Sequence, residues 1–272
     1  MDWKLLNAVV DLAVEAGEAI MQVYEGDDFA IEEKSDGSPL TAADLAAHEI
    51  LESGLRALAS ETPVLSEESA TISPEIRSLW NRYWLVDPLD GTAEFVNRNG
   101  EFTVNVALIE HHCPILGVVY VPTQGVTYLG ARGLGAFRRD AQGQRSINTR
   151  SIDGLKDQQE HLVVMVSRRH GDTEMSQLIE RFQRQIGPCE IKSVGSSLKI
   201  CLIAEGLADI YPRLGPTSEW DTAAAQAVLE AAGGALIDED LRVLRYNAKA
   251  DLLNPFFYAI GDTGYDWPKV IG

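Results

Sequence analysis

The chain has 272 residues, 45% apolar and 24% charged, with 23 glycines and 11 prolines. These are values of an ordinary globular protein of one or two domains, and they exclude disorder, collagen and coiled coil. The net charge of −18 leaves no electrostatic footprint for duplex nucleic acid and repels anions unless a local site reverses the sign.

Residues Trp3 to Tyr24 read as an amphipathic helix, with Leu5, Leu6, Val9, Leu12, Ala13, Ala16, Ala19, Ile20 and Val23 at helical spacing and Gly26 as its stop. Asp11, Glu15 and Glu18 interrupt this segment and no basic leader precedes it, so it does not read as a signal peptide. No run approaches 18 apolar residues, so no membrane span is expected. A polar turn over 34–39 leads to a second helix starting at Thr41, with Leu45, Ile50, Leu51, Leu55 and Leu58 as its expected inner face. Pro63 to Leu65 is a short apolar run that ends at Glu67-Glu68, and Tyr83 to Val86 is a buried strand ending at Asp87.

Phe102 to Ile109 and Ile115 to Val121 read as a hairpin joined through His111 to Pro114, followed by strands at 126–129 and 136–138. Residues 142–159 are polar and place a boundary near 150. That boundary divides an N-terminal α+β region, 1–150, from a C-terminal α/β region, 151–272. The order then alternates: strand 162–166, helix 173–186, strand 190–194, helix 197–204, strand 208–211 and helix 222–232. Cys113, Cys189 and Cys201 form no CxxC or Cys/His cluster. This argues against disulfides and structural zinc and fits a reducing cytoplasm.

The chemistry lies in the acids. Asp87-Pro88-Leu89-Asp90-Gly91-Thr92 places two carboxylates three residues apart at a strand end, on a turn that Pro88 stiffens and Gly91 reverses. The amides of Gly91 and Thr92 can face an anion there. Glu67-Glu68, Trp220-Asp221 and Asp44 complete the set. Each piece alone also has an ordinary reading: a turn, a solvated acidic loop, a helix N-cap, or the capping box Thr41-Ala42-Ala43-Asp44. Together they imply cations, because two carboxylates 4 Å apart repel by about 4 kcal/mol at an effective dielectric near 20. Oxygen donors without histidine or cysteine select hard ions such as Mg²⁺, and two such ions suit in-line attack of water on phosphorus.

In this order and spacing, the acid in the second helix, Glu-Glu, Asp-Pro-x-Asp-Gly-Thr and Trp-Asp-x-Ala-Ala resemble the inositol monophosphatase superfamily of metal-dependent, lithium-sensitive phosphomonoesterases. Within it the chain is similar to the CysQ type of 3′(2′),5′-bisphosphate nucleotidase, through segments such as Val64 to Glu68, Tyr83 to Thr92, Arg98 to Asn105 and Gly195 to Lys199. The resemblance implies an α/β fold, a five-layer αβαβα sandwich. It implies that Glu67, Asp87 and the Leu89 carbonyl hold one Mg²⁺, that Asp87, Asp90 and Asp221 hold a second, and it allows a third, weaker ion near Asp44 and Glu67. Asp44 and Thr92 would handle the attacking water. Leu89, Asp90, Gly91, Thr92 and Asp221 would meet the scissile phosphate, and Ser196, Lys199 and Arg213 the nucleotide.

The implied reaction converts adenosine 3′,5′-bisphosphate to AMP and phosphate, clearing a by-product of sulfate assimilation. The expected partner is thus a small phosphorylated nucleotide, not a nucleic acid. Lys199 and Arg213 by themselves also read as surface charges. Ala93 stands where CysQ-type chains commonly carry lysine. Ser167 to His170 follows a strand and reads equally as a cleft segment or a solvated loop, and the tail 261–272 has no assigned role. Peripheral attachment at the inner membrane is conceivable for the family, but no basic amphipathic helix supports it here. Two rival readings stand beside this one: an inositol or sugar phosphate phosphatase, and a non-catalytic nucleotide- or metal-binding regulator. The oligomeric state is left open.

Overall fold

Helix α1 (Trp3–Tyr24) forms where the sequence predicts it. Asp2 caps it by accepting from the Leu5 amide at 2.8 Å, and Leu6, Val9, Ala13, Ala16 and Ile20 form its buried stripe. The computed structural model describes residues 1–26, 31–33, 39–69, 71–153, 155, 160–167 and 173–271. Within that range β1 (Ile31–Glu33) and β2 (Pro39–Thr41) pair as a ribbon, while the expected turn at 34–38 lies outside the described residues. Helix α2 (Ala42–Leu58) starts at the predicted Thr41–Asp44 capping box. Its inner face differs from the expected one: Ala43, Asp44, Ala47, Leu51 and Leu55 are buried, whereas Leu45 and Leu58 are exposed. The i+3/i+4 row through Asp44, Ala47, Leu51 and Leu55 leaves Leu45 on the far side.

A seven-stranded sheet follows, ordered β3 (Val64–Ser66), β4 (Arg82–Asp90), β5 (Thr103–Glu110), β6 (Cys113–Val121), β7 (Val126–Ala131), β8 (Gly135–Asp140) and β9 (Gly143–Ile147). Only β3 and β4 run parallel within it; the other neighbours are antiparallel. The short helices α3 (Pro74–Arg77) and α4 (Thr92–Val96) flank β4. Three details correct the sequence reading. Strand β4 continues past Asp87 to Asp90. The β5–β6 reversal turns on His111 and His112, both left-handed at φ 48° and 64°, which makes it shorter than the loop expected. The polar stretch after residue 142 holds edge strand β9, whose mostly exposed side chains hide a backbone paired residue for residue with β8.

The second sheet has the order β11 (Cys189–Ser193), β10 (Leu162–Val166), β12 (Ile210–Arg213), β14 (Phe257–Ile260), β13 (Ala235–Asp238). Strands β11, β10 and β12 are parallel, as the alternating strand–helix order predicts. Strands β13 and β14 are four-residue runs that the sequence reading missed, and β14 pairs antiparallel with both neighbours. Helices α5 (Thr173–Gln185), α6 (Leu198–Ala204), α7 (Ala223–Ala231) and α8 (Pro268–Ile271) complete the chain.

Strand alternation sorts the core into layers. On β4 and β5, Trp84, Val86, Val106 and Leu108 face α1 and α2, while Tyr83, Leu85, Ala107 and Ile109 face the middle layer of α6 and α7. On β10, Val163 and Met165 face that middle layer, while Leu162 and Val164 face α5 and α8. The result is the expected αβαβα sandwich. The tail left unassigned by the sequence supplies part of its outermost layer, with Trp267 buried edge-on against Phe182.

The middle layer approaches the larger sheet closely because Gly117 on β6 lies under α7. A Cβ there would overlap the Ala224 carbonyl. Gly117→Ala is expected to cost about 1–3 kcal/mol, since backbone rather than a flexible side chain must yield. At about 2–4 °C per kcal/mol, thermal unfolding followed by circular dichroism should show a fall of several degrees. An unchanged midpoint would contradict the close contact.

Candidate active site

The site lies where parallel β3 and β4 end, a position at which open α/β sheets offer a crevice. Their register pairs Ser66 with Val86, so the next residues, Glu67 and Asp87, come out side by side. Opposite β5, Asp87 pairs with Asn105 and Asp90 with Thr103. Three steps on β4 are thus matched by two on β5. This bulge gives Asp87 and Asp90 the same facing, which strict alternation would have denied them. Gly91 reverses the chain at φ 94°, where an added Cβ would meet the Glu101 carbonyl at 3.2 Å, and α4 begins at Thr92.

Asp44 arrives from the other side of the sheet. As N3 of α2 it is 1% exposed, and its Oδ2 accepts from the Thr41 amide at 2.8 Å and the Thr41 hydroxyl at 2.7 Å. Its capping role, an alternative at the sequence level, is therefore real. Its Oδ1 also lies 3.4 Å from the Thr92 hydroxyl, which is 3.3 Å from the Leu89 carbonyl, so one carboxylate both caps and reaches the site. Asp221 ends a 3-10 turn (Glu219–Asp221) just before α7, where its Oδ2 accepts from the Ser218 amide at 2.8 Å.

Glu67, Asp87, Asp90 and Asp221 interact through their charges. Burial first, then Glu67, Asp90 and Asp221, push the Asp87 carboxyl well above the usual carboxylate range, and Glu67 also hydrogen-bonds to it. Burial and then Asp90 push Asp221 up in the same way, against the opposing Ser218 amide and Arg213. Rising carboxyl pKa values mark a cluster without its counter-charge. The donor set is all oxygen, with Asp87 buried and Glu67, Asp90 and Asp221 partly buried, which fits hard divalent ions. As they stand, the carboxylates are turned to internal donors, and among the described residues no three acidic, histidine or cysteine groups already form an ion cage.

Asp90 is the structural hub. Its Oδ2 accepts from the Ser197 amide at 2.6 Å and lies 2.7 Å from the Ser197 hydroxyl, 3.3 Å from Asn105 Nδ2 and 3.4 Å from the Thr103 hydroxyl. Ser197 Oγ is also 2.7 Å from the Asp221 carbonyl, so one serine joins β4, α6 and the Asp221 turn. Sequence reasoning gave Ser197, Asn105 and Thr103 no role. The available signal was polar residues at the inward positions of a strand otherwise made of Val104, Val106 and Leu108.

A 260 Å³ cleft opens from Asp90 and Asp221 and is lined by Ser196, Lys199 and Arg213. Lys199 is not a surface charge: it is 6% exposed, and its Nζ donates to the Ser196 carbonyl at 2.7 Å and the Val194 carbonyl at 3.0 Å. Burial pulls its pKa down to about 8 against the raising influence of Asp90. Ser167 also lines the cleft, while 168–170 lie outside the described residues.

Removing one negative charge from the crowded acids should stabilise the divalent-free protein even as it damages the site. Asp87→Asn is expected to raise the thermal midpoint in chelator by more than about 2 °C, equivalent to roughly 1 kcal/mol. Asp11→Asn, at an exposed position on α1, should move it by less than about 0.5 kcal/mol. A lower midpoint for Asp87→Asn would mean that the acids do not strain the fold.

The sequence profile of the Inositol monophosphatase family matches residues 2–258. The chain is 49% identical over 254 residues to the 3′(2′),5′-bisphosphate nucleotidase CysQ of Shigella flexneri, covering 93% of this chain and 98% of that protein. It is 48% identical, with the same coverage, to the protein of that name from Escherichia coli K12. The crystal structure of CysQ from Bacteroides thetaiotaomicron superposes with a TM-score of 0.79 at 39% identity, over 95% of this chain and 97% of that one. The fold, the order of the acids and these similarities agree: the chain belongs to the inositol monophosphatase family and is a phosphatase similar to its CysQ members.

Proposed function

We propose that the enzyme removes the 3′-phosphate of adenosine 3′,5′-bisphosphate, giving AMP and phosphate. The observation that carries this reading is the pairing, in one cleft, of Asp90 and Asp221 with two stationed cations, Lys199 and Arg213. A single phosphate ester needs only the metal centre. Two further cations in a chain of charge −18 call for a second anion on the substrate. The CysQ relatives carry the matching activity in their names.

Glu67, Asp87 and the Leu89 carbonyl would hold one Mg²⁺, and Asp87, Asp90 and Asp221 a second. Bound Mg²⁺ supplies charge neutralisation at the phosphate and lowers the pKa of a nearby water. Thr92 orients the attacking water through its hydroxyl, which sits between the Leu89 carbonyl and Asp44 Oδ1. Asp44 Oδ1 takes the proton passed through that hydroxyl, while its Oδ2 stays fixed on Thr41. The Gly91 and Thr92 amides, at the start of α4, donate to the phosphate oxygens.

A panel of phosphate esters assayed with Mg²⁺ tests the reading. Adenosine 3′,5′-bisphosphate should give the highest kcat/KM, chelator should abolish release, and Asp87→Asn should lower kcat at least about 100-fold. A higher kcat/KM for inositol monophosphate would reverse the assignment in favour of the inositol reading.

Lys199 gives a pH signature. Its pKa of about 8 lies below the ordinary 10.5, so its charge is present below pH 8 and lost above it. Keeping that buried charge destabilises the folded state below pH 8, and the cost fades as the pH rises towards 10.5. The expected results are a KM for the bisphosphate that climbs above pH 8 in the parent and stays flat in Lys199→Met, and a higher thermal midpoint for Lys199→Met at pH 7. Parallel KM profiles for the two proteins would remove Lys199 from substrate binding.

A further inference from the structure

Among the polar side chains that line the cleft and that the mechanism does not use are Ser167 and Tyr211. Ser167 directly follows β10, and Tyr211 and Arg213 sit two apart on the adjoining parallel strand β12, facing the same way. Arg213 Nη1 donates to Ser167 Oγ at 2.7 Å, and Ser167 Oγ is 2.9 Å from Tyr211 Oη. The Tyr211 ring in turn lies under Lys199, with Nζ 5.2 Å from its centroid, and is backed edge-on by Phe257 at 5.8 Å. One serine–tyrosine pair therefore touches both cations.

Counting donors shows what this arrangement leaves available. Two of the three Lys199 N–H groups go to carbonyl oxygens. Arg213 places Nη1 on Ser167 and Nη2 on the Pro216 carbonyl at 2.8 Å, and its buried Nε has no partner among the described residues. If Tyr211 donates to Ser167, the serine keeps its own O–H for a ligand oxygen. Lys199 is nearly buried and Arg213 half-buried, and both have donors left over. Leaving them so is costly unless an anion completes them.

We propose that Ser167 and Tyr211 are positioning residues of the subsite for the substrate's second phosphate: Ser167 sets the Arg213 guanidinium against the cleft, and the Tyr211 ring seats Lys199. This deepens the bisphosphate reading and rests on it. The chemistry that recognises this subsite is a phosphate dianion held a nucleoside's length from the scissile one, not a nucleobase or a polyol.

The test compares adenosine 3′,5′-bisphosphate with adenosine 3′-phosphate, which differs only in lacking the second phosphate. Ser167→Ala should raise KM for the bisphosphate about tenfold, the scale of one lost hydrogen bond to a charged group, and leave its kcat within about twofold. Neither constant for the monophosphate should move, and Ser167→Thr should restore the parent KM. Tyr211→Phe keeps the ring beneath Lys199 and removes only the hydroxyl. It should give a smaller rise of about two- to threefold, again confined to the bisphosphate. Equal rises on both esters would show that these residues serve the fold alone, and unchanged constants would show that they serve neither; either result overturns the proposal while the parent still prefers the bisphosphate. A parent enzyme with equal kcat/KM on the two esters overturns the bisphosphate reading itself.

Discussion

Repulsion among Glu67, Asp87, Asp90 and Asp221 is the constraint that the rest of this structure answers. Like charges at such range push apart by kilocalories, and a soft scaffold would let them swing into solvent. Here the surroundings deny that escape. The parallel β3–β4 register aligns Glu67 with Asp87, the β4 bulge turns Asp90 to the same side, and Ser197 ties Asp90 to the Asp221 turn. Ordinary backbone features thus hold an arrangement that the side chains alone would resist.

The same economy of partners governs the cations. In a chain with 41 acids and 23 basic residues, most lysines and arginines are spread across the surface. Lys199 and Arg77 are exceptions, and Lys199 is held by two carbonyl oxygens and an aromatic face, with burial pulling its pKa down to about 8. One of those carbonyls belongs to Ser196, which adopts a left-handed φ of 49° that serine rarely takes. Backbone strain and a buried charge meet in adjoining residues of the cleft, where a ligand can offset both.

Much of this was legible in the sequence wherever the cause was local. Helix α1 runs between the predicted ends, the Thr41 capping box starts α2, and β10 occupies its predicted residues, because caps and periodicity act over a few positions. The acids were visible through their order along the chain. What escaped was set by distant partners. Strands β13 and β14 are too short to show a period, and β9 is polar because it pairs at an edge through its backbone. The role of Ser197 could not be seen because its partner, Asp90, lies 107 residues away. The inner face of α2 went wrong at Leu45 for another reason: an exposed leucine is an ordinary surface residue, and apolar identity alone does not say which side of a helix is covered.

The division of the core between early and late parts of the chain bears on how the protein is made. Leu85, Ala107, Ile109 and Val119 belong to the face of the first sheet that Ala224 and Val228 of α7 cover. A ribosome delivers that sheet well before the helix that seals it, and long before the C-terminal turn around Trp267 closes the outermost layer. Through that interval the nascent chain shows an oily surface bordered by three of its four crowded acids. Like charge along such a border disfavours association with another copy of the same face, so the groups that burden the finished fold oppose self-association of the unfinished one.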